Sequence, residues 1–158
     1  MHHTVTLLHR QELIETAYAV LAENGYAATS LAAVARRANV TEETLRGWFG
    51  SKSGLFQAMV EDNARAGARI LEAHLDGNST PSQALRDLGP ALLRLVTGER
   101  AVALNRAAAV DASDSGALGR TIAQSGREHI VPLLWHLFAK AHEAGHWHCP
   151  VPGEAAEF

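Results

Sequence analysis

Cys149 is the only cysteine in 158 residues, so no internal disulfide framework staples the chain, and the composition fits a reducing cytoplasm. No apolar run reaches the roughly 18 residues of a membrane span, and the first residues lack the hydrophobic stretch of a secretion signal. No membrane partner is expected. β-Branched residues are sparse and no segment alternates polar with apolar, which argues against a sheet. Hydrophobic residues make up 47% and charged residues 20%, which excludes disorder. What remains is an all-α chain with material for a substantial core in one or two domains.

Positive charge is missing too. The formal net charge is −3. Up to residue 58, Arg10, Arg36, Arg37, Arg46 and Lys52 are balanced by Glu12, Glu15, Glu23, Glu42 and Glu43, and the excess of acid falls in the remainder. Any nucleic-acid affinity must therefore come from the placement of a few cations and from helix N-termini, doubled by dimerisation, and not from a basic surface.

Taken in order, residues 1–9 read as a frayed arm. Leu13, Ile14, Ala17, Tyr18 and Leu21 then mark an amphipathic helix from Arg10 to Glu23, stopped by Asn24 and Gly25. Thr29 and Ser30 signal a new start, with Leu31, Val34, Ala35 and Ala38 on one face. Asn39, Val40 and Thr41 form a tight turn: Asn tolerates a left-handed backbone, Val40 plugs inward and Thr41 caps the next helix. That second short helix buries Leu45, Trp48 and Phe49 and exposes Glu42, Glu43, Arg46 and Gly47. Two helices this short need flanking helices to rest on. The pattern is a helix-turn-helix, whose second helix enters the major groove of DNA.

Ser51 or Ser53 caps a fourth helix that continues to about Leu75. A second helical region begins at Pro81, with a stripe of Leu85, Leu88, Leu92, Leu95 and Val96 interrupted by Gly89 and Pro90. Glu99 to Ala112 is apolar around most of its circumference and reads as central to a bundle. Leu118 and Ile122 mark a shorter helix, and Arg127 to Ala144 the last strong one, which Pro132 either starts or kinks. Glu154 to Phe158 read as the beginning of another helix that five residues cannot stabilise, so a final helix is expected to be truncated.

From Asn24, Gly25 and Tyr26 onward the residues resemble the tetracycline-repressor (TetR) family of bacterial transcriptional regulators. The likeness is carried by Thr29 and Ser30; Ala35 through Thr41; Thr44 and Leu45; Trp48 and Phe49; and Ser51 through Phe56. It covers roughly residues 10–60; Leu104 through Arg120 and the Pro132–Gly145 stretch resemble the family's ligand-binding and dimerisation half more faintly. The resemblance implies a helix-turn-helix DNA-binding domain at 1–56, joined by a long helix to a helical effector-binding and dimerisation domain at 57–158. It implies a repressor, not an enzyme, that binds a near-palindromic operator as a homodimer and is released by a small-molecule effector, with no cofactor. Its DNA contacts fall on Thr29, Ser30, Thr41, Glu42, Glu43, Thr44, Arg46, Gly47, Trp48 and Lys52. Arg46 stands where the family usually has tyrosine, Glu42 and Glu43 replace small or basic residues, and Lys52 matches a phosphate-contacting lysine.

Asn105, Arg106, His129 and Trp135 are candidates for lining an effector pocket, with core packing as the competing role. The string His142, Glu143, Ala144, Gly145 and His146 has the form of a metal-protease motif, with His148 and Cys149 nearby. Gly145 interrupts the helix such a site needs and no third ligand is placed by spacing, so no metal is expected; a metal-dependent hydrolase remains the alternative. A helical interaction module that no longer binds DNA is a further reading, suggested by the neutral first segment and its two glutamates.

Overall fold

A computed structural model describes residues 2–75, 80–143 and 145. Among them every regular element is an α-helix: α1 His2–Ala28, α2 Leu31–Ala38, α3 Glu42–Phe49, α4 Lys52–Leu75, α5 Pro81–Thr97, α6 Glu99–Asp111, α7 Ala117–His129 and α8 Val131–Glu143. The expected arm is instead the start of α1, because no glycine or proline precedes Gly25 to break it. At Gly25, where the helix was expected to stop, the backbone takes a positive φ (φ 73°, ψ 177°) and α1 kinks, continuing to Ala28.

Two compact units make up the chain. One takes Met1–Glu61 with Val102–Thr121; the other takes Asp62–Ala101 with Ile122–Phe158. Besides the amino-terminal helices, the first therefore includes most of α6, the turn after it and the start of α7.

The first unit is built on Leu13, Ile14, Val34, Leu45, Leu55 and Met59, all essentially solvent-free. The Tyr18 hydroxyl donates to the Met59 carbonyl at 2.7 Å and joins α1 to α4. Ser51 caps α4, accepting from the Gly54 amide at 3.1 Å. Gly54 itself lies against the last turn of α3: a Cβ there would overlap the carbonyl oxygen of Phe49.

The link after Gly25 is held from two sides. Lys52 Nζ donates to the carbonyls of Tyr26 (2.6 Å) and Ala27 (3.3 Å) and sits 4.1 Å from the centre of the Tyr26 ring. Tyr26 meets Phe56 edge to face at 4.9 Å, and its hydroxyl donates to Asp111 Oδ1 at 2.9 Å. Buried Asp111 also accepts from the Ser115 hydroxyl and, at 2.9 Å, from the Leu118 amide in the first turn of α7. These bonds, the Leu118 amide foremost, hold the Asp111 carboxyl below its ordinary 3.8 against the opposing effect of burial. Burial, and then the bond to Asp111, pushes the Tyr26 phenol up to about 12. A cavity of about 160 Å³ opens beside this cluster, walled by Tyr26, Phe56, Asp111, Asp114 and Leu118; the Lys52 ammonium occupies its aromatic side.

In the second unit α5 packs against α8 around Leu71, Ala91 and Leu137, with Leu92, Ile130, Leu133, Leu134 and Phe138 partly buried on them. Buried Asp62 pairs with Arg100 at 3.2 Å. Pro90, expected to interrupt the stripe of α5, is accommodated inside the helix. The last helix begins at Val131, not Arg127: Pro132 has no N–H to continue the ladder, so Ile130 separates α7 from α8. α6 is less enclosed than its composition suggests. Ala101, Leu104 and Ala107 are buried, whereas Asn105, Arg106 and Val110 are exposed. The residues expected to begin a further helix lie outside those described.

Gly54→Ala is expected to destabilise the first unit by about 1–3 kcal/mol, because backbone must shift to admit the methyl; thermal unfolding checks it. Asp111 makes stability pH-dependent. Its depressed carboxyl contributes fully above the ordinary carboxylate value and loses that contribution as pH falls through the folded-state value. Asp111→Asn should therefore lower the unfolding midpoint at pH 7 and flatten its decline toward acid; a variant whose acid limb parallels the parent's would contradict this.

Candidate nucleic-acid interface

The two central helices are set by short-range chemistry. The Ser30 hydroxyl accepts from the Ala33 amide at 3.1 Å and starts α2. Asn39 ends it in the left-handed region (φ 55°, ψ 42°), letting the Val40 amide reach the Ala35 carbonyl at 3.0 Å. Thr41 then caps α3 by accepting from the Thr44 amide at 3.1 Å. Gly50 closes α3, donating to the Arg46 carbonyl at 2.8 Å. Leu31, Val34, Ala35, Leu45 and Phe49 fill the inner side. The result is a helix-turn-helix with α3 presenting an open outer face.

That face carries Glu42, Glu43, Arg46 and Gly47, all exposed, with Thr44 and Trp48 half-buried at its margins. Arg46 Nη2 lies 2.7 Å from Glu42 Oε1 one turn earlier. A Cβ on Gly47 would meet nothing within 4 Å. No internal packing requires glycine there, although the residue weakens a helix by about 1 kcal/mol relative to alanine.

Ser30 and Thr41 are placed at the helix starts, their hydroxyls engaged as caps; Thr41 and Thr44 also share a hydroxyl hydrogen bond of 2.8 Å. Two expected contact residues sit elsewhere. Thr29 is fully buried and donates to the Gly25 carbonyl at 2.8 Å, so it organises the link instead of facing outward. The Lys52 amine points into the protein, onto the Tyr26 and Ala27 carbonyls. Desolvation lowers its pKa, with Asp111 and Asp114 acting in the opposite sense. Local spacing could not reveal that, since its partners lie 26 and 25 positions back in the chain and across a fold.

The other cations differ in availability. Arg37 pairs bidentately with Glu23 at 2.6 and 2.8 Å, tying α2 to α1; this hydrogen bonding lowers the Glu23 pKa and raises that of Arg37. Arg10 lies over the Phe49 ring, 5.6 Å from its centre. Arg36, in the last turn of α2, is exposed and has no partner among the described residues. It is absent from the contact set that the family resemblance implies; its exposure on the helix that crosses the backbone in this motif is what singles it out.

The four effector candidates are not gathered in one unit. Asn105 and Arg106 are on the exposed side of α6 in the first; His129, half-buried on α7, and Trp135, 49% exposed on α8, are in the second. The His129 ring Nδ1 lies 3.0 Å from the Ser125 carbonyl. Of the metal-like string, His142 and Glu143 are at the end of α8 and Gly145 turns left-handed (φ 69°). Ala144, His146, His148 and Cys149 lie outside the described residues. Among the described residues no three His, Cys, Asp or Glu side chains form a metal-binding group, and no helix is long and apolar enough to cross a membrane.

Residues 13–59 match the family of bacterial regulatory proteins of the tetR type, and residues 83–158 the C-terminal domain of AefR-like transcriptional repressors. No curated protein matches the chain significantly in sequence. Among solved structures, the flavonoid-responsive regulator FrrA is 28% identical, with a TM-score of 0.71 over 94% of this chain and 76% of its own. A TetR-family transcriptional regulator from Mesorhizobium loti MAFF303099 shares the fold at 24% identity and a TM-score of 0.79, over 96% of this chain and 76% of its own. So does a TetR/AcrR-family regulator from Thermobifida fusca YX-ER1, at 23% identity and 0.70, over 93% and 77%. With both halves matched to the family's own domains and the helix-turn-helix in place, the chain belongs to the TetR family of transcriptional regulators.

Proposed function

We propose that this regulator is a cytoplasmic repressor that binds a near-palindromic operator as a homodimer and leaves it when a small molecule occupies the second unit. The observation that carries the reading is the outer face of α3. Four positions there, Glu42, Glu43, Arg46 and Gly47, are exposed on a helix whose opposite side is locked into the core. Gly47, with no internal reason to be glycine, leaves room for close approach of a duplex. Arg46 is the residue suited to guanine, whose O6 and N7 accept a bidentate guanidinium. Arg36 is the natural phosphate contact, and Trp48, Thr41, Thr44 and Ser30 border the same surface. Thr29 and Lys52 act by supporting the motif.

Release by a ligand is supported by FrrA, which is responsive to flavonoids. Within the second unit His129 and Trp135 are the proposed effector contacts. A two-fold dimer requires half-sites about one helical turn apart or a multiple of it, so an effector that favours another spacing of the two α3 helices lowers affinity.

Fluorescence anisotropy with duplexes from the gene's own promoter region tests the reading. Salt-sensitive binding to one near-palindromic segment is expected, with Arg46→Ala losing about 1–3 kcal/mol at that segment. Equal affinity for a scrambled duplex would contradict it, and no binding to any duplex would favour an interaction module without DNA binding.

A further inference from the structure

The proposed recognition helix carries its own counter-ion. Glu42 and Arg46 are one turn apart, 2.7 Å between Oε1 and Nη2, and both side chains remain largely open to solvent. As an exposed pair it adds little to stability, so its consequence lies in what Arg46 can do next. An unpaired guanidinium on this face would be drawn to any phosphate, an attraction blind to sequence. With one edge held by a carboxylate, the guanidinium keeps its remaining N–H donors in a defined direction, which is what bidentate contact with a base edge requires.

We propose that Glu42 is a positioning residue that sets the specificity of DNA readout, by holding Arg46 for a base edge and withholding it from phosphates. This rests on the DNA-binding reading above and adds to it the division of labour on the surface. The surrounding charges make that division consequential. Of the other cations up to residue 58, Arg37 is committed to Glu23, Lys52 to backbone carbonyls and Arg10 to the Phe49 ring, which leaves Arg36 as the exposed one whose side chain has no partner among the described residues. With so few phosphate-seeking groups, one guanidinium more or less changes the balance between sequence-blind and sequence-specific binding.

The test begins with the full chain and a random-sequence duplex library, followed by affinities for the enriched duplex and a scrambled one across a salt series. Glu42→Gln keeps the side chain's size and removes its charge. It is expected to strengthen binding to the scrambled duplex and to steepen the salt dependence by about 0.9 in log–log slope, one added phosphate contact. Preference for the enriched duplex should fall about tenfold, within the range of one base contact. In an Arg46→Ala background Glu42→Gln should leave slope and preference unchanged, since the effect runs through Arg46. An unchanged slope and preference in the single variant would overturn the proposal. So would the same shift in the Arg46→Ala background, which would make Glu42 a general repulsive charge. A parent chain that enriches no duplex would overturn the DNA-binding reading itself, and this proposal with it.

Discussion

The first unit depends on how the broken end of α1 is satisfied. A positive φ at Gly25 kinks the helix and leaves carbonyls at Tyr26 and Ala27 without a regular continuation. Lys52, the first residue of α4, donates to both, beside the Thr29 amide that also reaches Tyr26, and its charge lies against the faces of Tyr26 and Phe56. The amine thereby ties the start of α4 to carbonyls 26 and 25 positions earlier, which a freely solvated lysine would not do. Thr29 closes the same corner from the other side by donating to Gly25. Asp111 completes it, fixing the Tyr26 hydroxyl while it organises the turn between α6 and α7.

From that corner the helix-turn-helix is positioned with little further help. α2 and α3 are each eight residues, too short to persist alone. They are held by caps at Ser30, Asn39 and Thr41, by Leu31, Val34, Leu45 and Phe49 inside, and by the Arg37–Glu23 pair at the edge. What is left outside is a face with nearly balanced charge. The proposed function grows out of that balance: a regulator with few free cations must gain its discrimination from oriented contacts, and the Glu42–Arg46 pair is the oriented group the face provides.

The parts legible in the sequence are those decided within a few residues. The glycine that breaks α1, asparagine in the left-handed turn, the hydroxyls that start α2 and α3 and the period of the buried Leu13, Leu31 and Leu45 all act locally, and the structure has them where the sequence placed them; the stripe expected on α5 differs, since its Val96 is exposed. The start of α8 is left open by the sequence, because Pro132 permits either a start or a kink; the structure has the start, at Val131. Illegible are the contacts that join distant segments. Tyr26 meets Asp111 across 85 positions and Lys52 across 26, so by sequence alone Asp111 looks like a turn residue and Lys52 like a free cation. Thr29 fails for a related reason: a threonine at a helix start is equally suited to face outward or to tie back to the preceding turn. Apolar composition also misleads for α6, whose alanines are neutral about exposure.

Lys52 offers the most direct measurement, because the supporting role and the phosphate role predict opposite signatures. Lys52→Met retains the stem and removes the charge. If the amine holds the link after Gly25, the variant melts several degrees lower than the parent, and the slope of log affinity against log salt for duplex DNA, measured below the variant's transition, is unchanged. A melting temperature equal to the parent's, with a slope shallower by about 0.9, would contradict the account and make Lys52 a phosphate contact.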